Sequence, residues 1–145
     1  MNDAGSPDLR ARYADRPHSP AAALLSPRLL DIDARGFARL QFDGKPEFCN
    51  PMGMLQGGFQ AAMLDEAMAM AAIATVDFGR FVPTLELKIS FLRPAMPGVL
   101  IGEGTVVRSG RNIVFTEGRL LSADDTLLAT ASATATWRPR GGDRA

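Results

Sequence analysis

The sequence predicts an α+β domain in which a single antiparallel sheet encloses one long buried helix. Three observations carry this. Asn50 to Ala74, NPMGMLQGGFQAAMLDEAMAMAAIA, opens with loop residues and runs on as an almost wholly apolar stretch rich in strong helix formers. Thr84 to Phe91 then switches to a period of two, and strand-like runs continue to Trp137. Finally, the odd positions from Leu127 to Trp137 read Leu, Ala, Ala, Ala, Ala, Trp, a face of small side chains against which the Ala/Met helix would lie close.

Taken in order, residues 1–20 are charged and broken by proline, and read as an N-terminal tail. Residues 21–138 form one domain, and residues 139–145 a polar end. AAALLSPRLL gives a short helix or turn broken at Pro27. Leu29 to Phe42 reads as a strand pair turning at Gly36, and Asp43 to Gly53 as loop. The central helix is expected over about Gly58 to Val76. In the strand from Thr84 to Phe91, Leu85, Leu87, Ile89 and Phe91 face one way, while Thr84, Glu86, Lys88 and Ser90 face the other. Pro94 and Pro97-Gly98 end it. Val99 to Arg108, Asn112 to Leu121 and Thr126 to Trp137 are three more strands, turning at Ser109-Gly110 and Asp124-Asp125.

Composition narrows the function classes. The chain has 145 residues, enough to bury one good core, and its formal net charge is zero. It therefore shows no electrostatic footprint for nucleic acid or an anionic membrane. The apolar helix carries Asp65 and Glu66, and is too short and too acidic to span a bilayer comfortably. A single cysteine, Cys49, and a single histidine, His18, argue against a disulfide framework, a metal cluster or a histidine triad. Any general base is then a carboxylate or a less usual group. The N-terminus lacks the apolar core of a signal peptide, so a cytoplasmic location is expected.

Two features of the helix bear on chemistry. Gly57 and Gly58 stand where it begins; backbone N–H groups there have no intrahelical partner, and glycine lets a ligand approach. They are a candidate oxyanion hole or simply a tight turn. Asp65 is a carboxylate in an Ala/Met helix, either a satisfied buried acid or a catalytic one.

With Asn50, Gly53, Gly57-Gly58, Leu64-Asp65, TLELKISFLRPAMPG from Thr84 and VVRSGRNIVF from Val106, the chain resembles the hotdog-fold thioesterases. The resemblance is to the PaaI-like branch of the 4-hydroxybenzoyl-CoA thioesterase superfamily and covers residues 31–137. It implies a hotdog fold and hydrolysis of an acyl-coenzyme A thioester to free acid and CoA. The alternative is a hotdog that binds the thioester without cleaving it. The resemblance also implies a homodimer, or a dimer of dimers, and no cofactor beyond the CoA carried by the substrate. A hotdog hydratase generally uses an Asp/His pair, and this core has no histidine.

Residue by residue, the resemblance makes Asp65 the base or nucleophile and the Gly57-Gly58 amides the oxyanion hole. Gln56 stands where the family usually has histidine; it keeps hydrogen-bonding capacity but cannot titrate. Asn50 either caps a turn or orients the carbonyl or the attacking water. Thr84 matches a hydroxyl position near the water, or is an ordinary strand threonine. Met54 either fills the core or is the methionine that touches the acyl group, and Arg93, Arg108 and Arg111 either line a solvated sheet edge or meet the phosphates of CoA. Geometry adds a constraint of its own. Asp65 lies eight residues past Gly57, about 12 Å along a helix. One carbonyl cannot touch both, so a site using both draws them from two chains.

Overall fold

The computed structural model describes residues 8–141. The chain opens with two short helices, α1 (Leu9–Asp15) and α2 (Pro20–Leu25). Asp8 caps the first by accepting from the N–H groups of Arg10 and Ala11, and Ser19 caps the second through Ala22 N–H. Strands β1 (Arg28–Asp33) and β2 (Phe37–Gly44) pair around Gly36, whose φ of +103° suits the turn. A 3-10 turn at Pro46–Phe48 leads to the long helix α3 (Gly57–Ala74). Then come β3 (Arg80–Phe81), β4 (Thr84–Phe91), β5 (Gly98–Ser109), β6 (Ile113–Ser122), β7 (Leu127–Thr136) and β8 (Arg138–Pro139).

Six strands form one antiparallel sheet in the order β1-β2-β5-β6-β7-β4, and β3 pairs with β8 apart from it. The sheet is built around α3, the expected hotdog arrangement. Met63, Leu64, Ala67, Met68, Met70 and Ala71 of α3 are each at most 1% exposed. They pack against Leu40 and Phe42 of β2, Leu100 of β5, and Val114 and Leu120 of β6. Apolar side chains nearly all round the helix are buried nearly all round, as the sequence pattern requires. Among the described residues no helix is long and apolar enough to cross a membrane.

Three readings of the sequence change. Residues 9–15, placed in the tail, form α1 and bury Leu9 and Tyr13, each 7% exposed. The two lie four residues apart and so share one helix face. Residues 1–7 and 142–145 of the expected tails lie outside the described residues.

The helix is seated on glycines. A Cβ at Gly104 would stand 2.2 Å from the Ala67 carbonyl oxygen, one at Gly102 2.7 Å from the Phe42 ring, and one at Gly118 3.0 Å from Met68. The helix axis thus crosses β2, β5 and β6. The alanines of β7, expected to take the helix, are buried at its flank and do not form its seat.

The third change concerns β4. Thr84 pairs with Ala135 and Glu86 with Thr134, so Leu85 is an extra residue in a β-bulge. The bulge resets the alternation. Thr84 joins Leu87, Ile89 and Phe91 on the helix-facing side, instead of Glu86, Lys88 and Ser90 on the other. Leu85 is left 61% exposed. Because β4 is an edge strand of the sheet, Phe91 remains 52% exposed although it lies against the start of α3.

Candidate active site

The loop before α3 is fixed by its own polar groups. Asn50 Oδ1 accepts from the N–H groups of Met52 (3.0 Å) and Met54 (3.2 Å), and its own N–H donates to Met54 O (2.7 Å). Asn50 therefore caps this turn; its side-chain amide donates to none of the described residues. Gly53 sits in the turn at φ +77°. Leu55 N–H donates to Ala95 O at 2.8 Å, and Leu55 O accepts from Gln60 Nε2 at 2.9 Å. Gln60 is 5% exposed and braces the peptide just ahead of the glycines. Sequence reading missed it, although a glutamine one turn inside an apolar helix was the available signal.

Gln56 is the N-cap of α3, but its exposed side chain makes no cap bond. The N–H groups of Gly57 and Gly58 donate to no described residue. They are the open end of the helix, where an anion is favoured. The two glycines differ in surroundings. At Gly58 a Cβ would meet nothing within 4 Å, whereas at Gly57 it would meet Phe91 Cζ at 2.9 Å. Phe91 thus lies against the first residue of the helix.

Two turns further along, Asp65 is half-buried and Thr84 Oγ1 donates to its Oδ1 at 2.7 Å. This bond exists because of the bulge at Leu85. Its neighbour Glu66 is committed elsewhere: Glu66 Oε1 accepts from Arg16 Nη2 at 3.0 Å, with the two side chains 20% and 13% exposed. Arg16 in turn lies 4.7 Å over the Tyr13 ring. Burial pushes the Tyr13 hydroxyl above its ordinary pKa, with Arg16 pulling the other way. Of the two adjacent carboxylates, one is thus tied to the N-terminal helix, and the other holds a single hydroxyl and stays open. The opening lies between α2 and the first half of α3, a cavity of about 220 Å³ that Asp65 helps to line.

Helix α3 runs opposite to β4, with Gly57 beside Phe91 and Asp65 beside Thr84. The arginines divide between these ends. Arg93 follows Phe91, and its Nη1 donates to Leu127 O at 2.8 Å. Arg108 and Arg111 are exposed at the β5–β6 hairpin, next to Val114, which pairs with Ala135, the partner of Thr84. Within one chain, then, Arg93 and Met54 stand at the glycine end and Arg108 and Arg111 at the Asp65 end.

Residues 52–129 match the thioesterase superfamily, more than half of the chain. The chain belongs to that superfamily. As a member it is a hydrolase acting on thioester bonds. It is 35% identical to a protein of Saccharolobus solfataricus named as an esterase, over 67% of this chain and 69% of the relative. Its fold is similar to that of a phenylacetic acid degradation-related protein from Ralstonia eutropha JMP134, itself named as a thioesterase. That similarity has a TM-score of 0.80 and 38% identity, covering 88% of this chain and 96% of that one. The PaaI-like character expected from the motifs agrees with this likeness. The fold also matches a Streptococcus mutans protein, smu.793, bound to acetyl CoA, with a TM-score of 0.71 and 19% identity over 80% of this chain and 91% of that one. The matched span takes in both Gly57-Gly58 and Asp65 of this thioesterase.

Proposed function

We propose that this thioesterase hydrolyses acyl-coenzyme A as a homodimer in the cytoplasm, with each site shared by two chains. The carrying observation is the open Asp65 carboxylate, bonded to Thr84 at 2.7 Å, on the same helix as the free N–H groups of Gly57 and Gly58. The two lie about 12 Å apart along α3. The free edge of β4 supplies a way to bring them together. Leu85, Phe91 and Leu92 expose 61%, 52% and 50% of their surface there, an apolar edge suited to pairing. Two copies of β4 paired antiparallel about a two-fold axis set the Thr84 end of one against the Phe91 end of the other. Asp65 then faces the partner's glycine end.

In the reaction, the Gly57 and Gly58 amides of one chain bind the developing oxyanion. Asp65 of the other either takes a proton from the attacking water or attacks the carbonyl itself, giving an anhydride that water then opens. The C–S bond breaks and CoA leaves as the thiol. Thr84 holds the carboxylate in line, and the free amide of Asn50 and the side chain of Gln56 line the approach. Met54 and Arg93 from one chain, with Arg108 and Arg111 from the other, meet the acyl group and the CoA phosphates. The acetyl CoA bound by the Streptococcus mutans protein of this fold supports that substrate class. Association into a dimer of dimers fits the same reading.

The test is turnover on a panel of acyl-CoA thioesters by the wild type and Asp65→Asn. The variant keeps the shape and removes the charge, and a loss on the order of 10²-fold or more is expected. Binding of acyl-CoA by the wild type without turnover would instead identify a non-hydrolytic binder. An Asp65→Asn protein that stays active would displace the carboxylate.

A further inference from the structure

The cavity between α2 and α3 has about 220 Å³, and Asp65 forms part of its wall. Ala21 and Leu24 of α2 face Phe59 and Ala62 of α3 across it. The other charged group on its wall, Glu66, is tied to Arg16. Ser19 on its wall caps α2, and among the described residues no lysine or arginine lines it, so it offers no positive charge to a phosphate. Its walls are held in place. Phe59 stacks on Phe48 with ring centroids 4.2 Å apart, and Lys45 Nζ donates to Leu24 O at 2.7 Å, anchoring the end of α2. Leu24 is nonetheless 52% exposed, a large apolar side chain left at the rim of an apolar space.

We propose that this cavity receives the acyl group of the thioester, and that Leu24 and Ala62 set the largest acyl group admitted. The inference rests on Asp65 being the reacting carboxylate. With the carbonyl at Asp65, the first carbons of the acyl group lie beside Met54 of the glycine-bearing chain and the rest enters the apolar cavity, while the sulfur and the charged CoA point away from it. An apolar cavity of about 150 Å³ takes a benzene ring, so this one suits a compact acyl group of about six to eight carbons, linear or ring-bearing. The N-terminal segment is thereby part of the specificity apparatus.

The experiment measures kcat/KM for acetyl-, hexanoyl-, octanoyl-, dodecanoyl- and phenylacetyl-CoA with the full chain, with Ala62→Leu and with Leu24→Ala. Both positions are solvent-exposed, so neither change disturbs the core. Ala62→Leu narrows the cavity and should lower the octanoyl-to-acetyl ratio about tenfold or more, since a few methylenes in a pocket discriminate on that scale. Leu24→Ala widens it and should raise the dodecanoyl-to-octanoyl ratio several-fold. Parallel shifts for phenylacetyl-CoA would show that rings use the same space as chains. Ratios within about twofold of wild type in both variants would overturn the inference. So would a change in oligomeric state without a change in ratios, which would assign the cavity to a second copy. Asp65→Asn in the same assays separates the two levels. If it is inactive while the ratios stay fixed, only the acyl pocket fails; if it stays active, the reading of the site fails as well.

Discussion

Thr84 donates to Asp65 at 2.7 Å because Leu85, between Thr84 and its strand, is an extra residue in the β4–β7 ladder. Without the bulge, Thr84 would share the outer face with Glu86 and Lys88, and the carboxylate would lose its hydroxyl partner. Thr84→Val keeps the shape and removes the donor. It should lower kcat about tenfold to a hundredfold with a smaller change in KM, because it loosens the aim of the base more than substrate binding. Thr84→Ser should restore most of the rate. Steady-state kinetics on the two variants checks this, and equal rates for Val and Ser would remove Thr84 from the mechanism.

Glu66 is the neighbouring carboxylate, and its bond to Arg16 at 3.0 Å gives it a structural task. Glu66→Gln should retain most hydrolysis but lower stability by roughly 1 to 3 kcal/mol, since it leaves a mostly buried arginine without its counter-ion. Thermal denaturation alongside turnover reads both. A folded but dead Glu66→Gln, beside an active Asp65→Asn, would exchange their roles.

Tyr13 provides a pH dependence. Burial raises its pKa above the ordinary tyrosine value, so the neutral phenol is the form the fold prefers. The contribution of Tyr13 to stability is then complete below about pH 10 and is lost as pH climbs through the raised value. Alkaline titration followed by denaturant midpoints should show this loss in the wild type and a smaller one in Tyr13→Phe. Identical alkaline limbs would dissociate Tyr13 from the effect.

Gly104 has no room for a methyl group: the Ala67 carbonyl oxygen would stand 2.2 Å from it. Gly104→Ala should lift α3 from the sheet and destabilise the protein by about 3 kcal/mol or more. The same change at Gly58, where the space is open, should cost far less stability. Chemical denaturation of the pair tests the contrast, and equal costs would refute the glycine seat.

Much of the fold was legible because it depends on patterns a few residues long. The apolar run gave α3, the alternation gave β4, and Ser109-Gly110 and Asp124-Asp125 gave the hairpins. Asp65 and the two glycines stood out for a similar reason, a charge and a flexible pair at defined places on one helix. What escaped was set by partners distant in sequence. The bulge at Leu85 leaves no mark in a strictly alternating strand, so Thr84 was assigned to the wrong face. The glycines of β5 and β6 show their purpose only once α3 is laid on them. The alanines of β7 drew attention instead, since a row of one residue type shows in a sequence and three scattered glycines do not. Helix α1 was hidden by its charges, although Leu9 and Tyr13 already stood at helical spacing.

Complementation tests the division of the site between chains. Asp65→Asn lacks the carboxylate, and Gly57→Val covers the N–H while displacing the Phe91 ring that lies 2.9 Å from its Cβ position. After subunit exchange, a mixed dimer has one site with both lesions and one with neither. It should regain up to about half the wild-type activity. Native mass spectrometry confirms the exchange; a dead mixture of verified mixed dimers would put the whole site in one chain.

Strand β4 has β7 along one side and, among the described residues, no strand along the other. The hydroxyl bonded to the Asp65 carboxylate therefore rides on an edge strand, paired along one side as β1 is. Whatever pairs with that edge also steadies the aim of Asp65. Assembly and chemical competence then draw on one structural element, and mass action enters the kinetics. Below the concentration at which copies associate, specific activity should fall with dilution instead of staying flat, so the cellular abundance of this chain would itself set its output.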